Sequence, residues 1–144
     1  MTPALLLCLV VGVSDGDTLT ARCGDETIKV RLAEIDAPEK SQAYGQRSKQ
    51  ALAALCFQQP GELRPLKSLD RYGRTVARVV CNGVDENLAQ VQAGMAWAYT
   101  KYLTDPTIKA AESSAKSGER GLWADPQPVP PWEWRKAQKS HVSP

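Results

Sequence analysis

The dipeptide Asp15-Gly16, set between two runs of strand-forming residues, constrains this chain more than any other local feature. Cys8 to Ser14 and Thr18 to Cys23 flank it, and Asp-Gly between such runs is a strong signal for a two-residue hairpin. Gly24-Asp25 turns the chain again, and Thr27 to Ile35, rich in β-branched and long aliphatic residues, returns as a third strand. Three strands joined by short turns form a meander. If Asp15-Gly16 is the loop, Ser14 faces Asp17, and facing residue numbers sum to 31, so Cys8 lies opposite Cys23. Directly opposed Cβ atoms are about 4.5–5.5 Å apart, close enough for a disulfide. With Cys56 and Cys81 the cysteine count is four, which is compatible with two disulfides. The alternative is four buried thiols packed as small hydrophobes.

Pro38 ends regular pairing, because it lacks an N–H and holds Ala37 extended. A helix is expected from Gln42 to Cys56, with Tyr44, Ser48, Ala51, Leu52 and Leu55 on one face. Gly61 to Leu69 and Thr75 to Cys81 read as a second hairpin around the loop Asp70-Arg71-Tyr72-Gly73-Arg74, with Pro65 marking an edge or a bulge. A second helix begins at Asp85, facing Leu88, Val91 and Met95 inward. A third starts at Asp105-Pro106, a cap followed by Pro at the first helical position. Three strands, a helix, two strands and two helices predict an α+β chain built on a five-stranded OB-type barrel with three helices.

The organisation expected is an apolar leader or signal remnant over residues 1–7, one domain over 8–125, and a Pro-, Trp- and charge-rich tail over 126–144. The leader lacks a basic n-region and a cleavage site, so no intact signal peptide is expected. The longest apolar run, Ala4 to Val13, is too short to span a bilayer. A formal net charge of +2 neither requires nor excludes a nucleic-acid partner. Nothing suggests more than a monomer or an obligate protein partner.

Four segments carry the chemistry: Ser14-Asp15-Gly16-Asp17-Thr18, Val30 to Glu39, Asp70 to Arg74, and Gly121-Leu122-Trp123. Asp17, Asp36 and Glu39 stand at strand ends and can hold a hard cation, since oxygen-only ligands suit calcium or magnesium rather than zinc. Arg31 and Arg74 can grip phosphate oxygens through a planar fork that lysine lacks. The only histidine, His141, lies in the tail, which argues against histidine-dependent nucleases, a Ser-His-Asp hydrolase and a zinc site. Arg31 and Asp36 are five residues apart, so they share a site only if the strand twists, bulges or ends early. Glu34 is assigned to a structural salt bridge, and Trp97, Tyr99 and Trp123 to core or pocket wall.

In this order and spacing, the four segments resemble the staphylococcal nuclease (thermonuclease) family from about Cys8 to Trp123. The resemblance implies a calcium-dependent, sugar-non-specific nuclease that hydrolyses DNA and RNA and leaves 3′-phosphate ends. It makes Asp17, Asp36 and the backbone carbonyl of Ala37 the Ca2+ ligands, with Ala37 standing where the type enzyme has Thr. Glu39 matches the general base or water-positioning residue, and Arg31 and Arg74 the phosphate-binding arginines. Arg71, Tyr72 and Tyr102 match residues near the nucleotide. The loop between Glu39 and the first helix is shorter than in the type enzyme. Export to the periplasm or beyond is inferred from the cysteines and this resemblance. Some relatives lack the acids and act as scaffolds; a single-strand-binding module without catalysis is therefore the alternative.

Overall fold

Alternating burial along the strands builds the barrel. The computed structural model describes residues 5–67, 69–99 and 103–142. Strands β1 (Leu6–Asp15), β2 (Thr18–Cys23) and β3 (Glu26–Leu32) form the expected meander. β5 (Pro60–Lys67) pairs with β1, and β6 (Thr75–Cys81) pairs with β5. A parallel pairing of β3 with β6, Val30↔Thr75 to Leu32↔Ala77, closes the five strands into a barrel. Val10, Leu19, Val30, Leu32, Leu63 and Val79 fill its interior at 0% exposure. Pro65 sits at a register shift in β5, because it has no N–H to give the ladder.

The first turn falls one residue later than the dipeptide suggests. Asp15 pairs with Thr18, and Gly16-Asp17 form the loop. Two irregularities, between Val13 and Asp15 and between Val10 and Gly12, each shift the pairing by one residue. By Leu9↔Arg22 the register is the one expected, and Cys8 is bonded to Cys23 with Cα atoms 4.5 Å apart. A second disulfide, Cys56–Cys81, ties the end of α1 (Gly45–Cys56) to the end of β6. Glu86 lies near these two sulfurs, but a bonded pair offers no thiolate to a metal.

The third strand does not run through to Ile35. It stops at Leu32, Ala33-Glu34 turn with Glu34 at φ 68°, and Ile35–Asp36 form a separate strand, β4. β4 pairs with β8 (Trp97–Ala98), so Asp36 lies opposite Trp97. Helix α1 starts at Gly45 rather than Gln42, because residues 39–45 are used in turns: Gln42 N–H donates to the Glu39 carbonyl and Gly45 N–H to that of Gln42. Its buried face is Gly45, Ser48, Leu52 and Cys56; Ala51 and Leu55 are only partly covered. Strand β7 (Val84–Asp85) precedes α2 (Glu86–Gln92), capped by Asp85. Helix α3 (Pro106–Ser117) is capped by Asp105, with Pro106 opening it as expected. Glu34 anchors the α3 entrance, accepting from Thr104 and Asp105 and pairing with Arg78 at 3.3 Å. A short turn of 3-10 helix covers Gly121–Ala124.

The Pro- and Trp-rich stretch expected as a tail is in part helical. Pro131–Val142 form a fourth helix, α4. Trp132 stacks on Tyr99 (ring centroids 5.7 Å apart) and meets Trp97 edge-on at 5.7 Å, while Trp97 also contacts Trp123 at 4.4 Å. The three earlier aromatics are thus a wall of packed rings, as expected, and α4 docks on it. Among the described residues no helix is long and apolar enough to cross a membrane.

Candidate active site

The β1–β2 turn, the β3–β4 turn and α4 deliver one cluster of charge. Asp17 follows Gly16 in the first turn and is 6% exposed. Its Oδ2 accepts the Ala37 N–H at 2.7 Å, and its Oδ1 accepts the Thr18 hydroxyl at 3.0 Å. Asp36, 2% exposed, ends β4. The break at Ala33-Glu34 solves the spacing problem: Arg31 Nη2 lies 3.5 Å from both Asp17 Oδ2 and Asp36 Oδ1. Arg31 Nη1 donates to the Leu32 carbonyl at 2.6 Å, which fixes the guanidinium plane.

Buried amides of α2 hold the two turns in place. Asn87 Nδ2 donates to the carbonyls of Ala33 and Ala77 at 2.9 and 3.2 Å, and its Oδ1 accepts the Val79 N–H. Gln90 Nε2 donates to the Gly16 carbonyl at 2.8 Å and the Ser48 carbonyl at 3.0 Å. The turn carrying Asp17 and the turn that redirects the chain to Asp36 are therefore pinned by neighbouring side chains of one helix. Reading α2 by its apolar positions alone misses both, since buried amides carry no hydrophobic signal.

Arg135 is the other residue the sequence reading missed. Its Nη2 donates to Asp36 Oδ2 at 2.7 Å, and its Nη1 donates to Asp36 Oδ1 at 3.3 Å and Glu39 Oε1 at 2.9 Å. The available signal was local: Pro131 suits a first helical position, and Trp132 and Arg135 then share a face at i, i+3.

The electrostatics reflect crowded carboxylates. Burial works against the ionised Asp17, but the Arg31 charge and the hydrogen bonds it accepts hold its pKa below the ordinary range. Burial pushes Asp36 up, opposed by the Arg135 hydrogen bonds and reinforced by the negative charge of Asp17. Asp15 is pushed up to about 7 by burial and by Asp17. Arg135 is held further into its charged form by Asp36 and Glu39. Two nearly buried carboxylates facing one point, with oxygen as the only donor type, fit a hard divalent cation. Asp17 and Asp36 would hold it.

Arg74 is placed differently from Arg31. Its Nε donates to Asp70 Oδ2 at 2.8 Å, and its guanidinium lies 5.1 Å from the Tyr72 ring centroid. Arg71 lies 4.8 Å from the same ring and donates to the Tyr72 hydroxyl. These three form their own cluster in the β5–β6 loop, with Tyr72 65% exposed. Thr75, the first residue of β6, pairs with Val30, next to Arg31, so this loop leads into the strand beside the one that carries Arg31. Tyr102 lies outside the described residues. A cleft of about 200 Å3 opens beside Pro38, between Gln42, Trp97, Val129 and Trp134; it neighbours the carboxylates without containing them.

Comparison with known proteins assigns the chain to a family. The family described as staphylococcal nuclease homologue matches residues 29–125. An "uncharacterized endonuclease" of Haemophilus influenzae is 49% identical over 137 residues, covering 94% of this chain and 76% of the relative. A "micrococcal nuclease" of Shigella flexneri is 43% identical over 142 residues, covering 91% and 81%. An "uncharacterized endonuclease" of Escherichia coli O157:H7 is 40% identical over 127 residues, covering 88% and 82%. With the OB-type barrel and the Asp17–Arg31–Asp36 cluster in place, these likenesses are decisive: the chain belongs to the staphylococcal nuclease homologue family and is a nuclease of that type.

Proposed function

We propose that this nuclease is calcium-dependent and sugar-non-specific, hydrolysing DNA and RNA and leaving 3′-phosphate ends. The observation that carries the reading is Arg31 Nη2 at 3.5 Å from both Asp17 and Asp36, a phosphate-gripping group beside a cation seat. Asp17, Asp36 and the Ala37 carbonyl hold the cation in this reading. Bound there, calcium supplies Lewis acidity to a phosphate oxygen. Arg31 holds the phosphate oxygens and neutralises the charge that grows on them. Glu39, 34% exposed at its side chain, orients the attacking water and takes its proton. Water adds to phosphorus as the bond from phosphorus to the 5′-oxygen breaks; the departing oxygen takes a proton from solvent, and the phosphate stays on the 3′ side. Arg74, with Arg71 and Tyr72, approaches the substrate from the β5–β6 loop; a role for Tyr102 at the nucleotide rests on the resemblance alone. Phosphate contacts carry no base information, so sequence preference is low.

The two disulfides support export to the periplasm or beyond. The protein works as a monomer on nucleic-acid substrates. The test is digestion of single-stranded DNA and RNA with calcium, with excess chelator, and with an Asp36→Ala variant. Calcium-dependent cleavage that is lost in the variant is the expected result. Strand binding by a folded protein without cleavage would make it a binding module instead.

A further inference from the structure

We infer that Arg135 is a positioning residue of the active site, and that α4 is part of the catalytic machinery rather than an appendage. This rests on the nuclease reading above. Three contacts carry it: Nη2 to Asp36 Oδ2 at 2.7 Å, Nη1 to Asp36 Oδ1 at 3.3 Å, and Nη1 to Glu39 Oε1 at 2.9 Å. A planar fork on a carboxylate fixes that carboxylate's plane as well as its position. Arg135 takes Oδ2 at the shorter distance, and Oδ1, which it meets at 3.3 Å, is also the Asp36 oxygen 3.5 Å from Arg31 Nη2. The same guanidinium ties Glu39, on the loop after Pro38, to Asp36 on β4, so the proton acceptor and the cation ligand are set relative to each other by one group.

The helix is seated to do this. Trp132 and Arg135 stand three residues apart, on one helical face. Trp132 packs on Tyr99 and Trp97, and Trp97 is the residue paired with Asp36 across β4 and β8. Both side chains of α4 therefore bear on the same two-stranded ladder, one on its aromatic side and one on its carboxylate.

Charge balance points the same way. Asp17, Asp36 and Glu39 against Arg31 alone leave two surplus negative charges, and Arg135 reduces this to one. Arg135 thereby lowers the surplus negative charge among the carboxylates beside which the substrate anion must sit.

The experiment compares the unsubstituted chain with Arg135→Ala, Arg135→Lys and Trp132→Ala, separating kcat from KM on single-stranded DNA at saturating calcium. Calcium binding is measured by calorimetry without substrate, and folding by thermal melts. Arg135→Ala is expected to bind calcium, to lose turnover by about 10–100-fold as partners of ligating carboxylates do, and to keep KM far less changed. Raising calcium does not restore it. Lysine rescues little, because it has charge without the fork, whereas millimolar guanidinium ion added to Arg135→Ala restores part of the rate. Trp132→Ala loses turnover in the same direction by loosening the seat. Wild-type turnover in Arg135→Ala, faster turnover, or full recovery at high calcium would each overturn the inference while leaving the nuclease intact. An inactive wild-type chain would overturn both readings.

Discussion

Arg31 and Arg74 have the same chemistry and different surroundings, and that difference decides what substitution should do. Arg31 is fixed by the Leu32 carbonyl and faces two buried carboxylates. Removing it takes away a preorganised phosphate donor, so Arg31→Ala is expected to lower kcat by about 10²–10³-fold. Arg74 is paired with Asp70 in its loop, and reaching the substrate requires exchanging that partner. Its alanine variant is expected to lose activity in the same range under the proposed role, read from the same steady-state assay; a loss below tenfold would remove Arg74 from the phosphate site. Gly16 is a second residue-scale constraint. A Cβ there would fall 1.7 Å from Ser48 Oγ and 3.0 Å from Ala37 Cβ. Gly16→Ala is therefore expected to cost about 1–3 kcal/mol of stability in urea melts, the usual range for overpacking. Activity should fall as well, because the strain arises between the residues flanking Asp17 and Asp36.

At the scale of elements, α2 is the unusual piece. It buries Glu86, Asn87 and Gln90 alongside Val91. The amides are satisfied and hold the active-site turns, but both Glu86 carboxyl oxygens are buried without a hydrogen-bond partner among the described residues. Burial, with a smaller push from Asp85, raises Glu86 to about 7 from an ordinary 4.5. A carboxyl whose folded pKa is raised binds its proton more tightly in the folded state. The resulting stability is fully present below about pH 4.5 and is lost as pH rises to about 7. The loss corresponds to on the order of 3 kcal/mol. Glu86→Gln should flatten this part of the stability–pH curve and be more stable than the wild type at pH 8, as denaturant titrations across pH 4–8 would reveal. A variant with an unchanged slope would mean that Glu86 is not the titrating group. The elements also differ in how legible they were. The caps at Asp85 and Asp105 and the Pro65 irregularity are local chemistry, and they stand where the residues put them. The start of α1 moved to Gly45 because turns spanning residues 39–45 compete for the same backbone groups.

For the whole molecule, two covalent ties and one parallel pairing hold the barrel together. The disulfides close loops of sequence separation 15 and 25. Replacing Cys56 and Cys81 together by alanine should cost about 2–4 kcal/mol, and thiol alkylation without reductant should leave the wild-type mass unchanged. Four labelled thiols would refute the bonds. The sequence by itself made the meander, the second hairpin and the helix caps legible and set Cys8 opposite Cys23, because each depends on neighbours in the chain or on a residue's own chemistry. The hairpin shows the limit of that reasoning: the loop is Gly16-Asp17, and the cysteines still meet only because two irregularities in β1 shift the register back. Tertiary structure alone decided that Glu34 turns the chain so that Arg31 and Asp36 converge. It also decided that Asn87 and Gln90 pin those turns, and that Arg135 closes on Asp36 from 99 residues away. These are contacts between distant segments whose energy comes from burial and hydrogen bonds formed only once the barrel exists, and no local pattern encodes where a polar side chain from another element will arrive.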